Sequence, residues 1–301
     1  MRIGLLHRDK QVLEDQNSIL LRIFPRIVGS YNGLLCLEIF GKGVYPPLLL
    51  LWNPATREAR KVLPKIIFDF HCNYYLGFGF SPIDNDYKIV RVYLSMFDVV
   101  VKTLEIYSSN LRSWKVVEFE NLKGIRIRCL ENVTINGVMF WIGGKLNDDY
   151  DTILSFDLSK EVCALIPAPH LKYSNKKRLV IYENKLGVVL CIVGENKSYS
   201  VHLWVMEENT CSSGERWNWT KIYSSRPGPR VSKPAVIWRN AIVFDPSHEV
   251  EDDVHTQNFY QLNLTTNKFD SFVIRCGHIV KVFDYMESLV SISNVNIIEE
   301  L

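Results

Sequence analysis

The sequence lacks a run of about 20 apolar residues, the length an α-helix needs to cross a bilayer, so no helical membrane span and no membrane partner are expected. It also lacks an excess of charge of either sign: 35 Lys and Arg stand against 33 Asp and Glu, a formal net charge of +2. Nucleic-acid binding calls for a clustered basic face, and the densest basic run, Lys176-Lys177-Arg178, is short and reads as a solvated loop. Residues 1–9 turn charged too early for a secretory signal. The seven cysteines, Cys36, Cys72, Cys129, Cys163, Cys191, Cys211 and Cys276, are dispersed, and most sit in apolar runs. An odd, scattered set without a signal peptide reads as reduced thiols of an intracellular protein, cytoplasmic and/or nuclear. The sequons at Asn132, Asn196, Asn218 and Asn263 then read as chance matches.

Signatures of chemistry are also scarce. Structural zinc needs Cys and His at close spacing, and the adjacent pair His71-Cys72 is poorly placed to share one tetrahedral ion. There is no Gly-x-Ser-x-Gly elbow. Gly77-Phe78-Gly79 lies in an apolar run with no helix behind it, so it is no phosphate cradle. Two acidic stretches, Asp148, Asp149 and Asp151, and Glu249, Glu251, Asp252 and Asp253, lack the ligand order of a calcium loop and read as solvated loops or protein contacts. No catalytic residue, metal site or cofactor is expected. Helical spacing is weak everywhere. Within residues 9–23, Val12, Leu13, Gln16, Ile19 and Leu20 leave a short helix open, interrupted by Asn17 and Ser18.

What the sequence does contain is a repeat. Hydrophobic residues make up 47% of the 301, ordinary for a globular chain. Five times an apolar anchor is followed by a polar turn and another strand. The anchors and turns are Trp52-Asn53-Pro54-Ala55-Thr56, Tyr107-Ser108-Ser109-Asn110, Phe156-Asp157-Leu158-Ser159-Lys160, Trp204-Val205-Met206-Glu207 and Leu262-Asn263-Leu264-Thr265-Thr266. They recur about every 50 residues, the period of kelch-like blades. Asn, Asp, Ser and Pro favour tight reversals. The strands alternate: Leu154, Phe156 and Leu158 share one face, Ser155 and Asp157 the other. Gly137-Val138-Met139-Phe140-Trp141-Ile142 is apolar throughout, as a strand covered on both sides should be.

One sheet cannot bury its own apolar faces, so several must stack. The predicted fold is all-β, a β-propeller of kelch-like antiparallel blades, about six in number. A β-sandwich is the runner-up, but two sheets need fewer strands than this chain offers. Residues 18–24, 279–285 and 287–292 read as further strands that share one blade and cover its edges.

The repeat also orients the loops. With the strands of a blade named a to d outward, the polar turns are c–d connections. The b–c connections are longer and variable: 41–47, 95–99, 144–151, 194–198 and 246–256. They leave the strands at the same end as the d–a links, which include 65–73, 121–128, 170–177 and 226–233. Binding residues concentrate on loops held by a rigid scaffold, and aromatics and Arg carry binding energy most often. The candidate partner-binding residues are therefore Tyr45, Phe97, Tyr150, His248, Arg226 and Arg230. Substitutions in the c–d turns are expected to leave target binding intact.

An ordered set of motifs resembles the F-box-associated interaction domain of plants. It comprises Val28-Gly29-Ser30-Tyr31-Asn32-Gly33-Leu34-Leu35-Cys36-Leu37, Leu51-Trp52-Asn53-Pro54-Ala55-Thr56-Arg57-Glu58, Leu63-Pro64 and Leu76-Gly77-Phe78-Gly79-Phe80-Ser81-Pro82. Asp86-Tyr87-Lys88-Ile89-Val90-Arg91, Glu105-Ile106-Tyr107-Ser108 with Ser113-Trp114, and Asn136-Gly137-Val138-Met139-Phe140-Trp141 follow. Ile153-Leu154-Ser155-Phe156-Asp157-Leu158 and Glu287-Ser288-Leu289-Val290-Ser291 complete the set. The resemblance implies residues 1–27 as an N-terminal remnant or linker with a possible closing strand, 28–293 as the propeller domain and 294–301 as a tail. It implies a protein-binding, non-enzymatic role: substrate recognition for a cullin-type (SCF) ubiquitin ligase, with an unidentified target protein as partner. Residues 1–27 carry no Leu-Pro opening of an F-box, so binding to the ligase adaptor is not expected of them. The alternatives are a stand-alone interaction or decoy protein, and a propeller enzyme or sugar-binding protein.

Overall fold

The computed structural model describes residues 23–292 apart from 42–43, 64–72, 96–99, 119–121, 123, 146–147, 149, 173–175, 195–197, 210–215, 247–255 and 276–284. The described residues form strands and turns only, in five sequential four-stranded antiparallel meanders. The first contains β1 (Ile23–Tyr31), β2 (Leu34–Gly41), β3 (Val44–Asn53) and β4 (Glu58–Val62). The second contains β5 (Asn73–Ser81), β6 (Asp86–Leu94), β7 (Val101–Ser108) and β8 (Ser113–Val117). The third contains β9 (Ile125–Ile135), β10 (Val138–Lys145), β11 (Tyr150–Asp157) and β12 (Val162–Lys172). The fourth contains β13 (Lys177–Tyr182), β14 (Lys185–Val193), β15 (Tyr199–Asn209) and β16 (Arg216–Ser224). The fifth contains β17 (Pro234–Trp238), β18 (Ala241–Phe244), β19 (Thr256–Asn263) and β20 (Phe269–Arg275).

Two turn designs account for this regularity. Four a–b hairpins close with two residues at positive φ: Asn32-Gly33, Asn136-Gly137, Glu183-Asn184 and Arg239-Asn240. Such a turn matches the right-handed twist of its strands. The c–d turns follow a second design. Asn53, Asp157 and Asn263 each accept two backbone N–H groups of their own turn through one side-chain oxygen, at 2.9 to 3.5 Å. Ser108 does the same once, for Leu111 at 3.0 Å. The residue closing each of these turns, Arg57, Arg112, Glu161 or Asn267, also has positive φ. The two turns of a sheet are then tied together: Ser109, Leu158 and Leu264 donate N–H to Tyr87, Gly137 and Asn240 at 2.9 to 3.0 Å.

The chain divides into two compact units. The first holds residues 1–96, 102–118 and 284–301, and so the first two sheets. There β1 packs beside β5, and Leu34, Leu49 and Leu51 meet Phe78, Ile89 and Trp114 in one core. Buried charge crosses this core. Glu38 pairs with Arg26 and accepts from Tyr74 Oη at 2.5 Å. Arg91 lies 3.6 Å from Glu105 and 4.3 Å from the Trp114 ring centroid. The second unit holds 97–101 and 119–283, with β9 beside β13 and β13 beside β17. Its two cores lie between successive sheets. One is built by Ile153, Leu186 and Val188, the other by Val201, Phe244 and Leu262.

A tryptophan on the outer strand fastens one sheet to the sheet before it. Trp114 Nε1 in β8 donates to Leu63 O at 2.9 Å, and Trp219 Nε1 in β16 donates to Pro167 O in β12 at 2.8 Å. Several sequence expectations need correction. Five blades are found among the described residues, against about six expected. Residues 285–292 carry no strand, because their backbone is bonded to side chains of the first sheet and not to a sheet edge. Residues 18–22 and 279–284, and the possible helix but for Ile23, lie outside the described residues. Trp204-Val205-Met206-Glu207 is the interior of β15 and not a turn. The alternation of β11 does not mark a solvent face: Ser155 is buried like Leu154 and Phe156, and its hydroxyl donates to Ala164 O of β12 at 3.3 Å.

The segment 285–292 is held by the turns of the first sheet. Asn53 Nδ2 donates to Ser288 O and Val290 O at 3.0 and 2.6 Å. Glu58 accepts from Ser291 Oγ at 3.0 Å and from Ile292 N at 2.8 Å, and Arg60 donates to Ile292 O. Gly33 makes room: its φ is 82°, and a Cβ there would collide with Ser288 Cβ. The Ile292 amide, then Ser291 and Thr56, hold the Glu58 carboxyl below its ordinary value of 4.5. A depressed carboxyl stabilises above its unfolded pKa, and that contribution is lost as pH falls through the folded value. Hydrogen exchange at the Ile292 amide should therefore accelerate relative to core amides as pH falls below the ordinary carboxylate range. Glu58→Gln should abolish that pH dependence. Equal pH dependence in the variant would show that Glu58 does not hold the segment.

Candidate partner-binding site

The b–c connection of the third sheet, between β10 and β11, is built over a buried carboxylate. Asp151 has a side chain only 2% exposed, and two cations meet it: Arg128 Nη1 at 3.1 Å from Oδ1, and Lys177 Nζ against Oδ2. Arg128 comes from β9 and Lys177 from β13, so the carboxylate joins the third sheet to the fourth. The Arg128 guanidinium also donates to Tyr150 O at 3.3 Å, to Lys145 O at 3.4 Å and to Asp148 O. Gly144 of β10 leaves room for it, and Gly143 lets the Arg126 backbone come close. A Cβ on Gly144 would lie 3.0 Å from Arg128 Cζ and 3.1 Å from Tyr150 O, and one on Gly143 would lie 2.7 Å from Arg126 O. Asp148 N donates to Lys145 O at 3.2 Å within the same connection. On this fixed backbone the Tyr150 side chain stands 51% exposed.

The basic run beside it is structural, which corrects the solvated-loop expectation. Lys177 is buried on Asp151. Lys176 Nζ donates to Val231 O at 2.6 Å and lies 4.2 Å from the Tyr199 ring centroid. Arg178 donates to Pro234 O at 3.0 Å and to Asp245 Oδ2 at 3.1 Å, with Glu131 at 3.8 Å. The three cations thus tie β13 to the third and fifth sheets. The acidic stretch at 148–151 needs the same correction at Asp151, which is buried and paired.

The other expected residues are distributed differently. Arg226 and Arg230 are exposed on the link from β16 to β17. Gly228 between them pairs with Tyr199 in both directions, at 2.9 and 3.2 Å. Arg226 N donates to Asn267 Oδ1 at 3.3 Å, so this link reaches the c–d turn of the fifth sheet. Tyr150 is therefore mounted on the third sheet, and the two arginines on the link between the fourth and fifth. Tyr45 lies in β3, but its side chain is outside the described residues, as are Phe97 and His248. The clamp residues Arg128, Asp151 and Lys177 escaped sequence reasoning. Their one signal was the pair Gly143-Gly144 inside an apolar strand, where glycine marks a close approach.

The described thiols are not reactive groups. Burial pushes Cys129 up to about 11, and Cys163 and Cys191 up to about 12. Burial raises Cys36 as well, with Glu38 adding to it. Thiols so raised stay protonated and inert at neutral pH. Burial, then Lys221, lowers His202 below 6.5, so its imidazole is neutral at pH 7. No group of three or more metal-ligating side chains occurs among the described residues, and no helix there is long and apolar enough to cross a membrane.

Five four-stranded meanders with capped turns are the blades of a propeller, and the family model for the F-box associated beta propeller domain matches residues 9–292. The chain belongs to that family. An F-box/kelch-repeat protein of Arabidopsis thaliana is 26% identical over 71% of this chain and 56% of its own length. A second F-box/kelch-repeat protein of that plant is 23% identical over 70% of this chain and 55% of its own. The chain spans about half the length of these relatives. Among solved structures, TolB from Acinetobacter baumannii superposes with a TM-score of 0.47 at 10% identity, over 85% of this chain and 55% of that one.

Removing one partner of a buried ion pair leaves an uncompensated charge and costs about 3–5 kcal/mol. Asp151→Ala leaves two, and should lower the free energy of unfolding by about that order. Asp148→Ala, on the same connection but exposed, should change stability by less than about 0.5 kcal/mol. Equal effects in chemical denaturation would contradict the clamp.

Proposed function

We propose that this member of the family binds a target protein through the Tyr150 connection, as the substrate-recognition part of a cullin-type ubiquitin ligase. It acts by binding and not by catalysis, in the cytoplasm and/or the nucleus. The observation that carries the reading is a large exposed aromatic ring on a backbone fixed by a buried carboxylate. Preorganisation of this kind lowers the entropy lost on association, and tyrosine is among the residues that most often dominate a protein interface. Arg226 and Arg230 extend the reading as cationic contacts on a second link. The similarity to F-box/kelch-repeat proteins supports the ligase assignment.

The test uses proteins captured from plant extract by the purified chain. Tyr150→Ala should weaken binding of the captured target about tenfold or more, since truncating a binding hot spot costs about 2 kcal/mol, with the melting temperature unchanged. Calorimetry against the ligase adaptor, with an F-box-bearing relative as control, tests the second half. Adaptor binding at micromolar affinity or tighter supports the receptor reading. Target binding without adaptor binding would make this chain a recognition module that acts outside the ligase. Target binding indifferent to Tyr150 would overturn the site.

A further inference from the structure

The first unit carries a different exposed surface, at the a–b and c–d turns. Ile83 in the β5–β6 turn is 76% exposed and Leu111 in the β7–β8 turn 77%. Met286 and Leu289, on the segment laid over the turns of the first sheet, are 70% and 85% exposed. Turns normally present polar side chains, and four large apolar ones at one end of two sheets need a reason. They are not on loose chain. Ser108 Oγ and Asn110 N donate to Asp86 at 2.6 and 2.9 Å, which binds the turn of Leu111 to the turn of Ile83. Arg60 donates to Ser109 O at 3.2 Å and also to Ile292 O, which binds the turn of Leu111 to the segment of Leu289. A hydrogen-bonded platform therefore holds the apolar side chains in place.

The unengaged charge at this end is mostly positive. Arg57 and Arg112 are both exposed, at the same closing position of successive c–d turns. Burial, then the proximity of Arg112, lowers the pKa of Arg60, so the cations stand close together. The acids nearby are mostly engaged: Glu58 holds Ser291 and Ile292, Asp84 holds Lys88 at 2.7 Å, and Asp86 holds the turn of Leu111. Glu287 is the remaining acid at this end among the described residues.

We propose that this platform is a second docking surface, for an extended peptide segment of a partner that combines apolar with acidic side chains. Apolar side chains of the segment cover Ile83, Leu111, Met286 and Leu289, and its carboxylates meet Arg57 and Arg112. The surface shares no residue with the Tyr150 connection and does not depend on the function proposed for it.

A random peptide library displayed on phage, selected against the intact chain, tests this. The expected result is enrichment of peptides in which Asp or Glu accompany apolar residues. Synthetic versions should bind Leu111→Ser and Leu289→Ser at least tenfold more weakly in fluorescence anisotropy, and Arg112→Glu more weakly still at low salt. Tyr150→Ala should bind them as the unaltered chain does. Matching melting temperatures separate loss of binding from loss of folding. Enriched peptides without acidic residues, affinity unaffected by these substitutions, or no enrichment at all would overturn the proposal. So would concentration-dependent self-association abolished by Leu111→Ser, which would make a second copy the occupant.

Discussion

A four-stranded sheet with apolar residues on both faces has no stable place in water. It must be covered, and within each unit of this chain the cover is the next sheet of the same kind. That constraint explains why the cores lie between sheets. It also sets the demand on the turns. Strands that must stack in register need defined reversals, so one end of each sheet closes with positive-φ residues, and the c–d turns of the first, second, third and fifth sheets are capped by side chains. At the opposite end the b–c connections vary in length, from two residues in the first sheet to eleven in the fifth.

Stacking also takes charge out of water. In the first unit Glu38 and Glu105 are fully buried, with Arg26, Tyr74, Arg91 and Tyr93 around them. In the second unit Asp151 takes two cations and Arg178 meets two acids. Buried ion pairs are weak evidence for stability in themselves, because desolvation offsets much of the attraction. Their consequence here is positional: each joins strands of the β framework, and the Asp151 clamp also fixes the backbone that presents Tyr150.

The repeat, the turn residues and the all-β fold could be read from the sequence because they are local. Asn53, Asp157 and Asn263 cap turns through their own next residues, and Asn32-Gly33 and Asn136-Gly137 are hairpin signals without any tertiary context. The clamp could not be read in that way. Arg128, Asp151 and Lys177 are far apart in sequence, and an acidic loop beside a basic run looks solvated until stacking brings them together. The same holds for Trp204, whose place inside β15 depends on where its partner strands end. Tyr150 is legible from its loop, but the reason for its fixed presentation lies in the distant Arg128 and Lys177 that meet Asp151, with Gly144 leaving room for the guanidinium.

The most direct test of this account is hydrogen exchange at the Asp148 and Tyr150 amides, compared between the unaltered chain and Asp151→Asn under native conditions. The Asp148 amide is bonded to Lys145 O and the Tyr150 amide faces Asp148 Oδ1 at 3.4 Å. If the buried carboxylate orders the connection, both amides are protected in the unaltered chain and exchange at least tenfold faster in the variant, while amides of β14 and β15 do not change. Equal exchange in the two proteins would mean that the connection is ordered without the clamp, and the link between buried charge and a preorganised binding surface would fail.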